Sequence, residues 1–240
     1  MRKISATSIG PVARRVLDAG QSGVIGAVFS SVFYVESGGG LIAIGHRDTD
    51  PGPLTLVTDQ APLDWQRFGL TVGKKVNQSS VITQIPGQLS IAVPRNTDWR
   101  PPAFPTYNPD TVARGLTFLP DAEVEPSATG YGSVVKMPKR LPTEVAPLVD
   151  WLAKPQNQTF AQLIGRGSGL TPAGDDLIGG ALIALHGVGQ SQSARALWEA
   201  LRPLARANTN AISYALMEAC LLYTSPSPRD QRGSRMPSSA

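Results

Sequence analysis

The sequence predicts an α+β protein, with a β-rich N-terminal half followed by a helical C-terminal half. Three observations point there. Residues 22–93 hold six short apolar segments separated by Gly, Pro and Asp turn signals. Residues 94–140 are rich in Pro, Asp and aromatic side chains and show no apolar period. From Leu141 onward, apolar residues recur at helical spacing. A chain of 240 residues with 41% hydrophobic content can bury a sizeable core, which excludes a disordered class. The 24 Gly and 21 Pro follow no strict period, which excludes a collagen-like one.

The elements follow in order. PVARRVLDA, residues 11–19, reads as a short helix ended by Gly20. The β segments are GVIGAVFSSVFYVES, GLIAIGH, PLTLVT, FGLTVGKKV, SSVITQI and QLSIAV. Turns fall at Gly38-Gly39-Gly40, at Asp48 to Gly52 and at Pro86-Gly87. Such spacing fits an antiparallel sheet, a sandwich or a small barrel over residues 20–95. An irregular connection spans 96–140, with one short helix near Val112 to Phe118; loops of that length are functional or disordered. Over 141–219 the helices are Thr143 to Lys154 (Val145, Leu148, Val149 and Leu152 on one face), a turn or two at Thr159 to Ile164, and Thr171 to His186. Ser193 to Ala205 follows, with Pro203 expected to kink or shorten it, and then Thr209 to Ala219. No internal repeat is present, and residues 1–219 read as one domain.

Residues 220–240 read differently. Cys-Leu-Leu-Tyr-Thr-Ser resembles the translation of a transposase adaptor used in shotgun library preparation. Pro226 to Asp230 and Ser234 to Ala240 resemble its continuation and its far end. The segment is expected to be artefactual, or else a disordered tail, and the genuine chain is expected to break off near Ala219 in mid-helix. Without its three Arg and one Asp, the net charge falls from +4 to +2, and the single cysteine, Cys220, goes with it. No disulfide can form within the chain. The N-terminus has no apolar stretch behind its basic residues, and no run approaches the ~20 apolar residues of a membrane helix. The expectation is a cytoplasmic protein with no membrane role. Basic residues are scattered, so nucleic acid is not an expected partner.

The dense motif is GRGSGLTPAGDDLIGG, Gly165 to Gly180. Thr171 followed by Pro172 reads as an N-cap and first-turn pair. The helix behind it is apolar on every side and is expected to be buried. Gly174, Gly179 and Gly180 inside it each cost about 1 kcal/mol against Ala, which suggests that a backbone or ligand approaches closely. Gly165, Gly167 and Gly169 let backbone N–H groups converge just ahead of a positive helix terminus, which makes a site for a small anion. Arg166, Ser168 and Thr171 add donors. Asp175 and Asp176 can hold an amide, act as acid or base, or bind Mg²⁺; no other cofactor is expected. Each feature also has a structural reading: Asp is favoured near a helix N-terminus by the dipole alone, and a glycine-rich turn can be a tight turn and nothing more.

Other motifs fit badly. A P-loop needs Lys-Ser/Thr where Asp175-Asp176 stand, and a dinucleotide-binding fingerprint needs a strand where TFAQLIG reads as helix. His186 ends the apolar helix, where a core or C-terminal role is expected; His46 ends a β segment, where a solvated loop role is. With two His and no usable Cys, no zinc-ligand spacing exists. Trp99 to Tyr107 reads as a loop anchor, with a pocket lining as the other reading. Asn208, Thr209, Asn210 and Ser213 cap the last helix or line a polar wall.

On GRGSGLTPAGDDLIGG the sequence resembles the DUF2877 family, with Ala173 where Ser is common. SGVIGAVFSSVFYV, GPLTLVT, LSIAVPRNTDW and TNAISYALMEA extend the resemblance over most of residues 20–219. It implies a subunit of a carbamoyltransferase of anaerobic allantoin degradation, interconverting oxalurate plus phosphate with oxamate plus carbamoyl phosphate beside other subunits. In that reading Asp175 and Asp176 are catalytic, and Gly165, Arg166, Gly167, Ser168, Gly169, Thr171, Gly174 and Asn210 bind the small anionic substrate. Two alternatives stay open: a noncatalytic anion-binding or scaffold subunit, and a Mg²⁺-dependent hydrolase or transferase using the Asp pair.

Overall fold

The computed structural model describes residues 1–38, 40–100, 108–116, 146, 148 and 162–222. The chain divides into two compact units, residues 1–102 and 103–240.

The first unit is a closed eight-stranded barrel. Its strands are β1 (Arg2–Ile9), β2 (Gly23–Val28), β3 (Val32–Ser37), β4 (Gly40–Gly45), β5 (Thr55–Thr58), β6 (Lys75–Ser79), β7 (Ile82–Ile85) and β8 (Leu89–Ala92). Around the barrel they run β1-β5-β4-β3-β2-β6-β7-β8. The β1–β8 and β4–β5 pairs are parallel and the other six antiparallel. Of the three β architectures the sequence allows, the chain therefore takes the barrel, which leaves no open sheet edge.

Two departures have plain causes. The run at residues 22–37 is two strands, folded back where Phe29 N–H donates to Val32 O at 2.8 Å. Residues 68–74, expected as strand, are turns. Gly69 (φ 86°) and Gly73 (φ 83°) take left-handed backbone that breaks extension, and Gly73 N–H is held by Ile25 O at 2.8 Å. Residues 2–9, assigned no element from the sequence, form β1.

The helix α1 (Pro11–Asp18) forms as expected, with Pro at its start. Its Ala13, Val16 and Leu17 join one buried cluster with the inward side chains Ile25, Phe33, Val35, Ile42, Ile44, Leu56, Ile85, Leu89 and Ile91. Trp65 is wholly buried in that cluster. Its ring stands edge-on to Phe33 at 5.1 Å, and its indole N–H donates to Ser31 O at 3.1 Å.

In the second unit α2 (Pro109–Leu116) covers most of the predicted short helix. Of the helix expected at Thr143 to Lys154, only Ala146 and Leu148 are described, both helical; the rest lies outside the described residues. Three helices follow: α3 (Ala173–Gly187), α4 (Ser191–Asn208) and α5 (Ala211–Leu222). They pack on one another around Leu163, Ile178, Leu182, Leu197, Trp198, Leu201, Ala205 and Met217. Pro203 does not shorten α4, which runs on to Asn208, with Leu201 and Ala205 on either side of the proline buried in the core. The α5 helix continues past Ala219, with Cys220 and Leu221 against the same core. Residues from 223 onward lie outside the described residues.

Candidate functional site

The glycine motif forms an exposed loop between two anchored ends. Leu163 and Ile164 are buried in the helical core, whereas Arg166 to Thr171 are exposed. Gly165 (φ 71°), Gly167 (φ 125°) and Gly169 (φ 95°) all take left-handed backbone. Space also requires glycine at the first two: a Cβ would lie 2.3 Å from Asn208 O at Gly165 and 2.6 Å from Ala173 N at Gly167. Arg166 N–H donates to Leu163 O at 3.0 Å, and Arg166 O accepts from Gly174 N–H at 2.9 Å. The N–H groups of Gly167, Ser168 and Gly169 have no hydrogen-bond partner among the described residues.

The start of α3 differs in detail from the expected cap. Pro172 holds the cap position with extended backbone and makes no side-chain cap bond. Thr171 instead lies beside the Asp176 side chain, close enough to oppose the rise of its carboxyl. The three helix glycines divide. A Cβ at Gly174 would fall 1.9 Å from Leu163 O, and one at Gly179 would fall 3.3 Å from Cys220 Sγ. Gly180 faces open space, so no close approach explains it. Nor is α3 buried all round: Asp176, Gly180 and Ala184 face out.

The two aspartates take opposite environments. Asp175 is 1% exposed. Its Oδ1 accepts Gly165 N–H at 2.7 Å; its Oδ2 accepts the Ser213 hydroxyl at 2.6 Å and the Thr209 hydroxyl. Asp176 is exposed. Partial desolvation raises its carboxyl above the ordinary range, the Thr171 side chain opposes this, and the neighbouring Asp175 charge adds to the rise. The Cys220 thiol is pushed up to about 11, chiefly by burial and then by the Asp176 charge.

Asn210 ties loop to helix. Its Oδ1 accepts the N–H groups of Ile212 and Ser213, both at 3.0 Å, and its Nδ2 donates to Leu170 O at 2.9 Å. It caps α5 as the sequence suggested, and it also holds the far end of the glycine loop. The structure thus brings Gly165 to Thr171, Gly174, Asp175, Asp176 and Asn210 together, with Arg166 on the exposed stretch. What sequence reasoning missed is that Thr209 and Ser213 close on Asp175. The signal available was Ser213 itself, a hydroxyl in an apolar helix, which has to find a partner when buried.

The remaining candidates separate from this cluster. His186 is buried, with Nδ1 2.9 Å from Ser191 Oγ, the core role expected of it. His46 Nδ1 accepts Asp48 N–H at 3.3 Å in a turn. Trp99 N–H donates to Ile9 O at 2.8 Å, and residues 101–107 lie outside the described residues. An open depression on the barrel is lined by Ser22, Glu36, Lys75 and Asn77 and includes none of the predicted site residues. Among the described residues, no three His, Cys, Asp or Glu side chains cluster as a metal site, and no helix is long and apolar enough to cross a membrane.

Both units match one family, that of a subunit of a multi-subunit carbamoyltransferase. Residues 5–98, the barrel, match the AllH family N-terminal domain, and residues 163–226 match the oxamate carbamoyltransferase subunit AllH. The second match covers the glycine loop and all of α3 to α5, and enters the segment that resembles adaptor. The chain belongs to the AllH family, as its resemblance to the DUF2877 family implied. No curated protein and no solved structure matches it.

Proposed function

We propose that the chain is the carbamoyltransferase subunit that holds a small anionic amide on its glycine loop, in a cytoplasmic complex with other carbamoyltransferase subunits. The substrates are oxamate or oxalurate, with carbamoyl phosphate or phosphate. The observation that supports this most is the set of partnerless N–H groups at Gly167, Ser168 and Gly169 beside the N-terminus of α3. Such donors complement a carboxylate or phosphate, and also the charge that develops on a carbamoyl oxygen during transfer. Arg166, Ser168 and Thr171 add polar groups on the exposed stretch, while Gly165, Gly174 and Asn210 set its shape.

In this reading the amide nitrogen attacks the carbamoyl carbon. The C–N bond forms, the C–O bond to phosphate breaks, and the nitrogen gives up a proton. Asp176 holds the NH₂ and takes that proton. A carboxyl raised above its ordinary range is a better base than an unperturbed one. The Mg²⁺-dependent alternative has less support, because both Asp175 oxygens are already engaged by protein donors. The exposure of residues 166–171 favours, as a second reading, an anion-binding subunit whose partners perform the chemistry.

The test is carbamoyl phosphate formation by the complex reconstituted with its partner subunits. Asp176→Ala is expected to lower turnover by roughly 10²- to 10⁴-fold, the range of a lost general base, with assembly intact. Unchanged turnover would reject the catalytic reading. Oxamate binding that survives Asp176→Ala together with unchanged turnover would leave the anion-binding one.

A further inference from the structure

From its burial and partners we infer that Asp175 is a positioning residue: it sets the conformation of the glycine loop through Gly165 and does not touch substrate. The inference rests on the loop being the ligand site proposed above.

Asp175 sits on the first turn of α3, and its carboxylate is turned inward, with 1% of the residue exposed. Three donors reach it from two places in the chain. Gly165 N–H comes from the start of the loop; the Thr209 and Ser213 hydroxyls come from the joint between α4 and α5, 34 and 38 residues further on. A carboxylate so placed is closed to an incoming amide, because three of its roughly four acceptor positions are filled and the residue is 1% exposed. It does fix where the loop begins. Gly165 is pinned between Asp175 Oδ1 and the carbonyl of Asn208, against which a Cβ would sit at 2.3 Å. The next donors along the chain are the N–H groups of Gly167 to Gly169, whose direction depends on that starting point.

The same joint holds the other end of the loop. Asn210 Nδ2 reaches Leu170 O at 2.9 Å, while Asn210 Oδ1 caps α5. The loop is therefore suspended at Gly165 and Leu170 from residues 208–213, and Asp175 is the buried charge at the centre of one suspension point. Hydrogen bonds to a buried ionised group are the strong ones, and leaving such a group unmatched is costly. That is the arrangement expected of a group that preorganises an anion site instead of reacting in it.

Chemistry separates the two roles. Asparagine has the shape of aspartate. Its carbonyl can still accept Gly165 N–H, and its NH₂ can donate to the Thr209 and Ser213 hydroxyls, which accept as readily as they donate. A positioning residue is therefore largely rescued by Asn, whereas an acid, base or ion-pairing carboxylate is not. The experiment compares Asp175→Asn, Asp175→Ala, Thr209→Val and Asp176→Asn in the full chain. Two readouts are taken: hydrogen exchange of the 163–172 segment by mass spectrometry, and oxamate affinity by calorimetry.

Asp175→Ala is expected to speed loop exchange and to weaken oxamate binding by about ten- to a hundredfold, the range set by one or two hydrogen bonds to a charge. Asp175→Asn should stay within roughly threefold of wild type in both readouts, a margin of well under 1 kcal/mol. Thr209→Val should fall between, which keeps the test decisive if Asp175→Ala does not fold. Asp176→Asn should weaken binding with loop exchange unchanged. Asp175→Asn losing as much affinity as Thr209→Val or Asp175→Ala, with its loop protection intact, would overturn the inference. If wild-type protein binds no oxamate, the proposed function fails on its own, and the exchange data still decide whether Asp175 orders the loop.

Discussion

Gly174→Ala and Gly180→Ala place the same methyl group on the same helix and should move stability in opposite directions. At Gly174 the new carbon would lie 1.9 Å from Leu163 O and 2.9 Å from Leu163 C, both backbone atoms with no rotamer to escape into. Restoring an ordinary 3.4 Å contact means moving α3 about 1.5 Å off the loop. Overpacking of that kind costs about 1–3 kcal/mol, and straining the 2.9 Å bond from Gly174 N–H to Arg166 O adds about 0.5–1.5 kcal/mol. Against this stands the helix-propensity gain of about 1 kcal/mol for Gly→Ala, so the net loss is about 1–3 kcal/mol. At Gly180 the methyl group meets nothing within 4 Å, and the propensity gain of up to about 1 kcal/mol remains. Urea unfolding followed by circular dichroism reads both. With m near 1–3 kcal/mol/M, Gly174→Ala should lower the midpoint by roughly 1 M, and Gly180→Ala should raise it by a few tenths. Equal shifts in one direction would refute the view that glycine at 174 answers to a backbone contact.

Three further outcomes follow. Trp65→Ala should destabilise the barrel by about 3–5 kcal/mol, since it empties a wholly buried site and orphans Ser31 O; Trp65→Phe should cost less, and thermal unfolding measures both. Burial holds the His186 imidazole below its ordinary range, and the nearby Arg195 charge lowers it further. The unfolded chain therefore takes up a proton first as pH falls past about 6.5, and stability should decline there. A His186→Gln variant should flatten the dependence of the urea midpoint between pH 7.5 and 5, and an identical slope in the two proteins would exclude His186 as its source. Asn210→Ala should cost about 0.5–2 kcal/mol of stability as a lost cap and should also speed hydrogen exchange at Leu170; stability loss without loop exchange would show that the Leu170 bond holds nothing.

The order of elements was legible because turn residues punctuate it. The glycine pairs, Pro-Gly and Asp-rich stretches mark strand ends, and α3 to α5 show helical spacing. β1 was not legible. Its residues RKISATSI are mostly polar, with only Ile4, Ala6 and Ile9 apolar, and what makes them a strand is pairing with Leu89–Ala92 and with residues 56–58, far along the chain. Closure of the barrel was illegible for the same reason, since it depends on that parallel β1–β8 pair. In the site, the left-handed glycines at 165, 167 and 169 were readable from residue type alone. The Asp175–Thr209–Ser213 contact was not, because no spacing rule links a helix start to a joint 34 residues away.

The adjacent aspartates show where local pattern stops informing chemistry. Successive residues on an α-helix point about 100° apart, so two neighbours near a helix N-terminus cannot both face a ligand on one side. Which one turns inward depends on what lies beneath. Here Gly174 brings α3 against Leu163, and that approach presents the next residue, Asp175, to Gly165 N–H and to the Thr209 and Ser213 hydroxyls. Asp176 is thereby rotated out to solvent beside Thr171. The pair is one device with two functions. The buried charge holds the loop, and its field helps to raise the carboxyl of the exposed one. Exchanging the close contact at Gly174 for a longer one should therefore loosen the loop, by shifting Asp175 away from Gly165 N–H.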